Sequence, residues 1–228
     1  MSSLAILSLG SNVEWECKLP DNPIGRQYQS PERIPSSSCA VLQQNEVASN
    51  NTPSRNKFDS CKAGQILVPE KILEHALTRI QTTCGKITHV SSLYRTRPLE
   101  DQNLRQPNFC NIVIAIESLL SPDQLLRETH RIESEMGRVR NPGFQWGPRT
   151  LDIDIITFAV QSIRTPTLTI PHPQYRYRDF VLVPLQEILP DFIDPITHES
   201  LDEMLSRILP RQRTIIDRKL FVISTELS

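Results

Sequence analysis

The chain has 228 residues, 22% of them charged, and a formal net charge of −1 at pH 7. This length suits one large domain, or one ordinary domain with added segments. The balance of charge creates no overall field that would favour nucleic acid or a membrane surface as a partner, and no apolar run is long enough to cross a bilayer.

The first predicted element is a buried strand over residues 4–9, LAILSL, which ends at a Gly-Ser-Asn turn. From about residue 16 to residue 64 the chain is rich in Ser, Pro, Asn and Gln and shows no period of two or 3.6 residues. Such a stretch cannot bury enough apolar surface to offset the entropy lost on ordering. We therefore predict a disordered insertion over residues 16–64 of the chain.

An amphipathic helix is predicted over residues 69–84, with Pro69 in its first turn and Gly85 just after its end. Its apolar residues fall on one helical face. They are Ile72, Leu73, Ala76, Leu77 and Ile80. The β-branched and aromatic residues that follow predict a strand over residues 87–96.

A further strand is predicted over residues 109–116, where Asn111 interrupts an otherwise apolar run. A buried amide at such a position either bonds to backbone or faces a ligand, and the pattern alone favours the structural role. A helix then begins at Ser121, because Ser121 can cap it, a proline follows, and Gln124 can complete a capping box. The helix is predicted to end at Gly137.

The next strand alternates strictly, so that Leu151, Ile153 and Ile155 face the core while Asp152 and Asp154 share the other face. The two carboxylates are roughly 7 Å apart by strand rise. Hard oxygen ligands of this kind suit Mg²⁺. Taken alone, the pattern fits a solvated strand face equally well. However, Asp is depleted in strands and like charges on one face repel, so a cation or cationic side chains are expected nearby.

Positive partners for these acids lie close in sequence. Arg138, Arg140 and Arg149 precede or adjoin the acidic strand, and His172 and Arg178 follow it. Two carboxylates for a metal together with several arginines predict a polyphosphate site and phosphoryl or nucleotidyl transfer. The chain holds neither a P-loop motif nor a GxGxxG motif, so side chains must hold the phosphates.

Two helices are predicted towards the end of the chain, one starting near residue 181 and an amphipathic one over residues 201–209. Residues 211–228, which are basic and then apolar, receive no secondary structure from their pattern. The five cysteines are an odd number without a C-x-x-C spacing, and no cationic segment begins the chain. We interpret them as reduced thiols of a cytoplasmic protein.

Residues 147–156, GPRTLDIDII, resemble the signature of the 6-hydroxymethyl-7,8-dihydropterin pyrophosphokinase family. Further segments resemble the family in the family's order: residues 9–12 (LGSN), 91–99 (SSLYRTRPL), 107–111 (PNFCN), 133–140, 170–173 (IPHP) and 178–180 (RDF). The resemblance implies a folate-pathway enzyme that transfers diphosphate from ATP to a pterin alcohol and releases AMP. It also implies a ferredoxin-like α+β sandwich, with helices packed on a mainly antiparallel sheet, which agrees with the β-α-β-β-α-β order above.

The resemblance implies a role for each matching residue. Two Mg²⁺ ions would be held by Asp152 and Asp154. Catalysis would fall to Arg138, Arg149, Asp152 and Asp154. ATP would be bound by Glu133, Arg140, Trp146, His172 and Arg178. The pterin would be bound by Thr96, Arg97, Leu99, Phe109, Asn111 and Phe180. The last set is chemically apt, since a flat heteroaromatic ring stacks between aromatic side chains and an amide offers a donor and an acceptor together.

The chain departs from the family in three places. It has the insertion, it has Gln145 and His130 where other residues are usual, and it has additional residues at its end. We expect one domain over residues 1–210 and a tail over residues 211–228. Relatives in lower eukaryotes are often fused to other folate-pathway domains, so the tail is compatible with a linker stub and such domains are candidate partners. Otherwise only small-molecule substrates are expected as partners.

Two alternatives stay open at this point. A different metal-dependent transferase, acting on a sugar nucleotide or another nucleotide, would explain the two acids but not Asn111 and the paired aromatic residues. A catalytically inactive binding domain is supported only by the insertion.

Overall fold

The computed structural model describes residues 2–16, 65–99, 106–139, 148–209 and 213–221. Within these ranges, no helix is long and apolar enough to cross a membrane. The predicted disordered insertion lies outside the described residues, apart from Glu16.

Ten strands and four helices are described. The strands are β1 (Ser3–Ser11), β2 (Trp15–Glu16), β3 (Ile66–Leu67), β4 (Lys86–Val90), β5 (Leu93–Thr96), β6 (Phe109–Ser118), β7 (Asp152–Phe158), β8 (Ile163–Arg164), β9 (Thr169–Ile170) and β10 (Ile215–Lys219). The helices are α1 (Pro69–Thr83), α2 (Pro122–Glu135), α3 (Asp179–Ile188) and α4 (Leu201–Ile208).

The main sheet runs in the order β10-β5-β6-β1-β7, and β4 also pairs with β6. Every pair of strands in it is antiparallel. The succession β1, α1, β4 with β5, β6, α2 and β7 is the β-α-β-β-α-β order of a ferredoxin-like sandwich, so the predicted α+β fold is confirmed.

Helices cover both faces of the sheet. On one face α1 and α2 pack together and against β1 and β7, over the buried side chains of Leu9 and Ile153. On the other face α3 and α4 form a core with Ile6, Val113 and Ile156. Since side chains alternate along a strand, the second face continues from Ile6 to Ser8 and Gly10. These positions lie beyond the core that α3 and α4 form, and both line a cavity.

The predicted strand over residues 87–96 is interrupted, which corrects the expectation of one continuous strand. The backbone N–H of Ser91 donates to Val113 O at 2.9 Å, and the Ser91 hydroxyl accepts from the Val113 N–H at 3.0 Å. The side chain thus replaces a backbone partner, and the strand divides into β4 and β5. By contrast, the predicted capping box of Ser121 and Gln124 is present at the start of α2.

Two further pairings involve segments that the sequence left unassigned. Trp15 lies opposite Leu67 in the β2–β3 pair, so the residues that flank segment 17–64 of the chain are bonded to each other. At the other end, β10 pairs antiparallel with β5 and forms an edge of the main sheet. The predicted domain boundary at residue 210 therefore precedes a strand that the sheet includes.

Candidate active site

Asp152 and Asp154 lie side by side on the open end of the sheet. In the pairing of β7 with β1, Asp152 is opposite Gly10 and Asp154 is opposite Ser8. Both side chains are half-buried, whereas Leu151, Ile153 and Ile155 are buried. The alternation predicted for this strand is therefore confirmed, and both carboxylates lie on one face.

Asp152 is held by two guanidinium groups. Arg138 Nη1 donates to its Oδ1 at 2.5 Å, and Arg149 Nη1 donates to its Oδ2 at 2.6 Å. Burial would raise the pKa of Asp152, but Arg149 and Arg138 outweigh burial and lower this pKa below its ordinary value. Asp152 is therefore a carboxylate whose charge is compensated within the protein.

Asp154 has weaker positive support. Arg178 Nη1 donates to Asp154 Oδ2 at 3.2 Å, and His172 Nε2 is 3.9 Å from the same oxygen. Burial first, and the neighbouring charge of Asp152 second, raise the pKa of Asp154 to about 6. Burial and Arg178 lower the pKa of His172 to about 4, so the imidazole is neutral at pH 7 and forms no ion pair. The charge of Asp154 is therefore less fully compensated than that of Asp152, so a cation that binds beside Asp154 would be favoured.

Glu133 connects helix α2 to this pair. It is 1% exposed, accepts a hydrogen bond from Arg138 Nη1, and also accepts one from the backbone N–H of Ile153 at 2.8 Å. A buried carboxylate requires such partners. Glu133 thus fixes both the guanidinium of Arg138 and the backbone of β7 next to the acids.

The donor set fits a hard divalent cation. Two carboxylates share one face, and the ionisation of Asp154 is opposed by the charge beside it. Among the residues that the structure describes, no group of three or more His, Cys, Asp or Glu side chains is placed to hold a metal. The pair Asp152 and Asp154 fits Mg²⁺, because this ion is commonly bound by one or two carboxylates and completes its octahedron with water and substrate phosphates.

A cavity of 390 Å³ opens on one side of the acids. All six residues predicted to bind the pterin line it, together with four of the charged residues predicted for catalysis, metal or ATP. The lining comprises Ser8, Gly10, Thr96, Arg97, Leu99, Gln106, Phe109, Asn111, Arg149, Asp152, Asp154, Arg178 and Phe180. The guanidinium carbon of Arg178 also lies 5.7 Å from the centroid of the Phe180 ring, which links the aromatic wall to the acids.

Asn111 is oriented within this cavity by the strands around it. Its Nδ2 donates to Thr96 Oγ1 at 2.7 Å. In the pairing of β6 with β1, Asn111 is opposite Gly10, and a Cβ added at Gly10 would lie only 2.7 Å from Asn111 Oδ1. The absence of a side chain at Gly10 therefore gives the amide its space.

Substituting Gly10 with alanine should displace the Asn111 amide and weaken binding of the pterin predicted for this cavity about tenfold to a hundredfold, because the amide would lose its fixed position. Titration of the purified variant with 6-hydroxymethyl-7,8-dihydropterin, the ligand that the resemblance implies, would measure the change in Kd. Ala159→Gly, at an exposed turn, is a suitable control and should leave the Kd unchanged. An unaltered Kd for Gly10→Ala would show that the amide does not contact the pterin.

A second cavity, of 300 Å³, opens on the other side of the same acids. It contains two residues predicted to bind ATP, Glu133 and His172, one predicted to be catalytic, Arg138, and several that sequence reasoning did not identify. The remainder of its lining comprises Leu126, His130, Asp152, Ile153, Asp154, Ile155, Thr165, Pro166, Thr167, Leu168, Thr169 and Pro173. Asp152 and Asp154 therefore line both cavities and lie where the two cavities meet.

Asn12 was predicted only as part of a turn, yet it supports the site. Its Oδ1 accepts from the backbone N–H of Arg149 at 2.8 Å, and its own N–H donates to Arg149 O at 3.2 Å. Its Nδ2 donates to Gln106 Oε1 at 3.2 Å. The Gly-Ser-Asn sequence indicated a turn, but a local pattern cannot show that Asn12 contacts Arg149, which is 137 positions away. Arg140 and Trp146 lie outside the described residues. The roles of all the predicted site residues stay predictions.

Comparison with known proteins identifies the family. The family model of 7,8-dihydro-6-hydroxymethylpterin-pyrophosphokinase (HPPK) matches residues 64–190 of the chain. The chain is 44% identical over 128 residues to a 2-amino-4-hydroxy-6-hydroxymethyldihydropteridine pyrophosphokinase of Haemophilus influenzae, covering 56% of this chain and 78% of the relative. It is 37% identical over 137 residues to the Synechocystis enzyme of that name, covering 60% and 68%.

Longer proteins also contain a similar region. The chain is 41% identical over 141 residues to folic acid synthesis protein fol1 of Schizosaccharomyces pombe, covering 61% of this chain and 19% of that one. The crystal structure of Plasmodium falciparum HPPK-DHPS superposes with a TM-score of 0.55 at 14% identity, covering 92% of this chain and 45% of the other. That likeness shows a shared fold. The chain belongs to the 7,8-dihydro-6-hydroxymethylpterin-pyrophosphokinase family.

Proposed function

We propose that this protein catalyses the Mg²⁺-dependent transfer of diphosphate from ATP to 6-hydroxymethyl-7,8-dihydropterin, giving the pterin diphosphate and AMP. The observation that carries the proposal is that Asp152 and Asp154 line two cavities of different chemistry. A reaction between two substrates requires a site of this kind, in which each reactant reaches the same charged groups from its own side.

The pterin is proposed to occupy the cavity lined by Phe109, Phe180 and Asn111. Two aromatic side chains offer stacking surfaces for a flat heteroaromatic ring. The Asn111 amide offers Oδ1 to a ring donor, since its Nδ2 is bonded to Thr96. Arg97 and Leu99 complete the wall on the β5 side.

ATP is proposed to occupy the cavity lined by Glu133, Arg138 and His172, with Arg178 beside Asp154. Guanidinium groups bind phosphate oxygens through paired hydrogen bonds. Arg138 and Arg149 both contact Asp152 here, and these guanidinium groups would exchange this contact for phosphate oxygens when ATP binds.

Asp152 and Asp154 are proposed to hold Mg²⁺, and the family resemblance implies two ions. Bound there, Mg²⁺ would neutralise the negative charge of the phosphate groups. The protein's own residues orient the reactants. The pterin hydroxyl oxygen forms a bond to the β-phosphorus, the bond from that phosphorus to the α–β bridging oxygen breaks, AMP departs with this oxygen, and the hydroxyl proton passes to water. Arg149 stabilises the charge that develops during transfer.

We further propose that the protein acts in the cytoplasm. We also propose that it is fused to, or cooperates with, other folate-pathway domains. The first proposal is supported by Cys84 and Cys110, which are buried free thiols. The second is supported by the longer relatives, of which this chain matches only part.

The proposed activity is tested by mixing the purified protein with ATP, MgCl₂ and 6-hydroxymethyl-7,8-dihydropterin and separating the nucleotides by chromatography. We expect AMP and the pterin diphosphate in equal amounts, and no product when EDTA removes the metal. Formation of ADP in place of AMP, or turnover of a sugar nucleotide without pterin, would support another transferase. No product under any condition would support an inactive binding domain.

A further inference from the structure

A buried carboxylate joins helix α3 to the edge strand β10. Asp179, the first residue of α3, is 1% exposed. Its Oδ1 accepts from the Phe180 N–H at 2.8 Å and from the Thr214 hydroxyl, while its Oδ2 accepts from the Thr214 N–H at 2.6 Å and the Ile215 N–H at 3.4 Å. The carboxylate is therefore bonded simultaneously to the start of α3 and to the residues that lead into β10.

Thr214 passes this connection on to strand β5. It is 6% exposed, and its carbonyl accepts from the Arg97 N–H at 2.8 Å. The next residue, Ile215, lies opposite Thr96 in the β10–β5 pair. Arg97 and Phe180 both line the cavity proposed for the pterin. Asp179 and Thr214 thus form a chain of hydrogen bonds between two walls of that cavity without lining it themselves.

We propose that Thr214 and Asp179 are positioning residues for pterin binding, and that β10 is therefore part of the functional unit. This rests on the proposed function, because it assumes that the pterin occupies this cavity. The chain of hydrogen bonds fixes the Arg97 backbone relative to Phe180, so the width of the cavity is set before the ligand enters. A site held in its binding geometry loses less entropy when ligand binds.

A second carboxylate provides an internal comparison. Glu187, also on α3, accepts from the Ser92 hydroxyl at 2.7 Å, the Tyr94 hydroxyl at 2.9 Å and Arg218 Nη2 at 2.8 Å. It joins the same helix to the same two strands, but none of these side chains lines the pterin cavity. If the hydrogen bonds between Asp179 and Thr214 served stability alone, removing the contacts of Asp179 or of Glu187 would lower Tm and leave the pterin Kd unchanged.

The test replaces Thr214 with valine, which keeps the shape of the side chain and removes the hydroxyl that donates to Asp179. We expect the Kd for the pterin to rise about five- to twentyfold, as for loss of a hydrogen bond to a charged group, with the Kd for ATP unchanged. Thr214→Ser keeps the hydroxyl and should restore the Kd. Glu187→Gln should lower Tm but leave the pterin Kd as in the unaltered protein. Calorimetric titration gives the Kd values, and thermal unfolding gives Tm.

Two results would overturn the proposal. One is a Thr214→Val protein with lowered Tm and an unchanged pterin Kd, which would make the connection purely structural. The other is an equal rise in pterin Kd for Thr214→Val and Glu187→Gln, which would mean that any loosening of β10 affects the cavity. Failure of the unaltered protein to bind the pterin would instead contradict the proposed function, so the two failures are distinguishable.

Discussion

Replacing Asp154 with asparagine is expected to lower the rate of AMP formation by on the order of a thousandfold, because the proposed metal site would lose one of its two carboxylates and with it several kcal/mol of transition-state stabilisation. The same substitution should leave Tm at pH 7 equal to or above that of the unaltered protein. The reason is electrostatic, since Asp154 is half-buried beside Asp152 and, among the described residues, Arg178 donates to it at 3.2 Å.

The expected pH dependence of Tm follows from the direction in which the pKa of Asp154 is shifted. The pKa of Asp154 is raised from 3.8 to about 6, so between these pH values the folded chain binds more protons at this site than the unfolded chain. Stability from this group therefore falls as pH rises through that window, and asparagine removes the loss. The difference in Tm between variant and unaltered protein should be largest above pH 6 and should vanish near pH 4.

Two matched variants make this prediction decisive. Asp152→Asn should lower Tm, because Arg138 and Arg149 would lose their shared anionic partner. Asp191→Asn, at an exposed turn, should change neither rate nor Tm. A rate for Asp154→Asn within about tenfold of the unaltered rate would contradict the metal-binding role.

The elements that carry the site could be predicted because their signals are local. Alternation over residues 151–155 places both acids on one strand face, and the capping box of Ser121 and Gln124 fixes the start of α2. Arg138 was expected as a positive partner because it lies close to the acids in sequence, whereas a role for Glu133 came only from the family resemblance. Periodicity and capping act within a few residues, so the sequence contains them directly.

The remaining features depend on contacts between distant segments. Strand β10 is mostly exposed and has no clear pattern of its own; pairing with β5 and the Asp179–Thr214 contacts define it. Likewise, the close approach of Gly10 to Asn111 joins residues a hundred positions apart, so a Gly-Ser-Asn sequence alone indicates only a turn. Tertiary pairing overrides local preference in such segments.

Arg149→Ala is expected to reduce kcat by on the order of a thousandfold, the effect typical of an arginine that stabilises a transferring phosphoryl group. The loop should keep its place, because Asn12 binds both the N–H and the carbonyl of Arg149 and neither bond involves the guanidinium. The pterin Kd should therefore change little, whereas Tm should fall because Asp152 loses one of its two guanidinium partners. Steady-state kinetics with ATP and the pterin, together with thermal unfolding, would separate these quantities.

Arg149→Lys and Arg164→Ala complete the comparison. Lysine retains the charge but not the planar fork of donors, so it should recover only part of kcat. Arg164 is exposed on β8, and its replacement should leave kcat unaltered. If Arg149→Ala kept kcat within about threefold while raising KM for ATP, the guanidinium would contribute to binding equally in the ground and transition states. Arg138, which also contacts Asp152, would then be the remaining candidate for stabilising the transferring group.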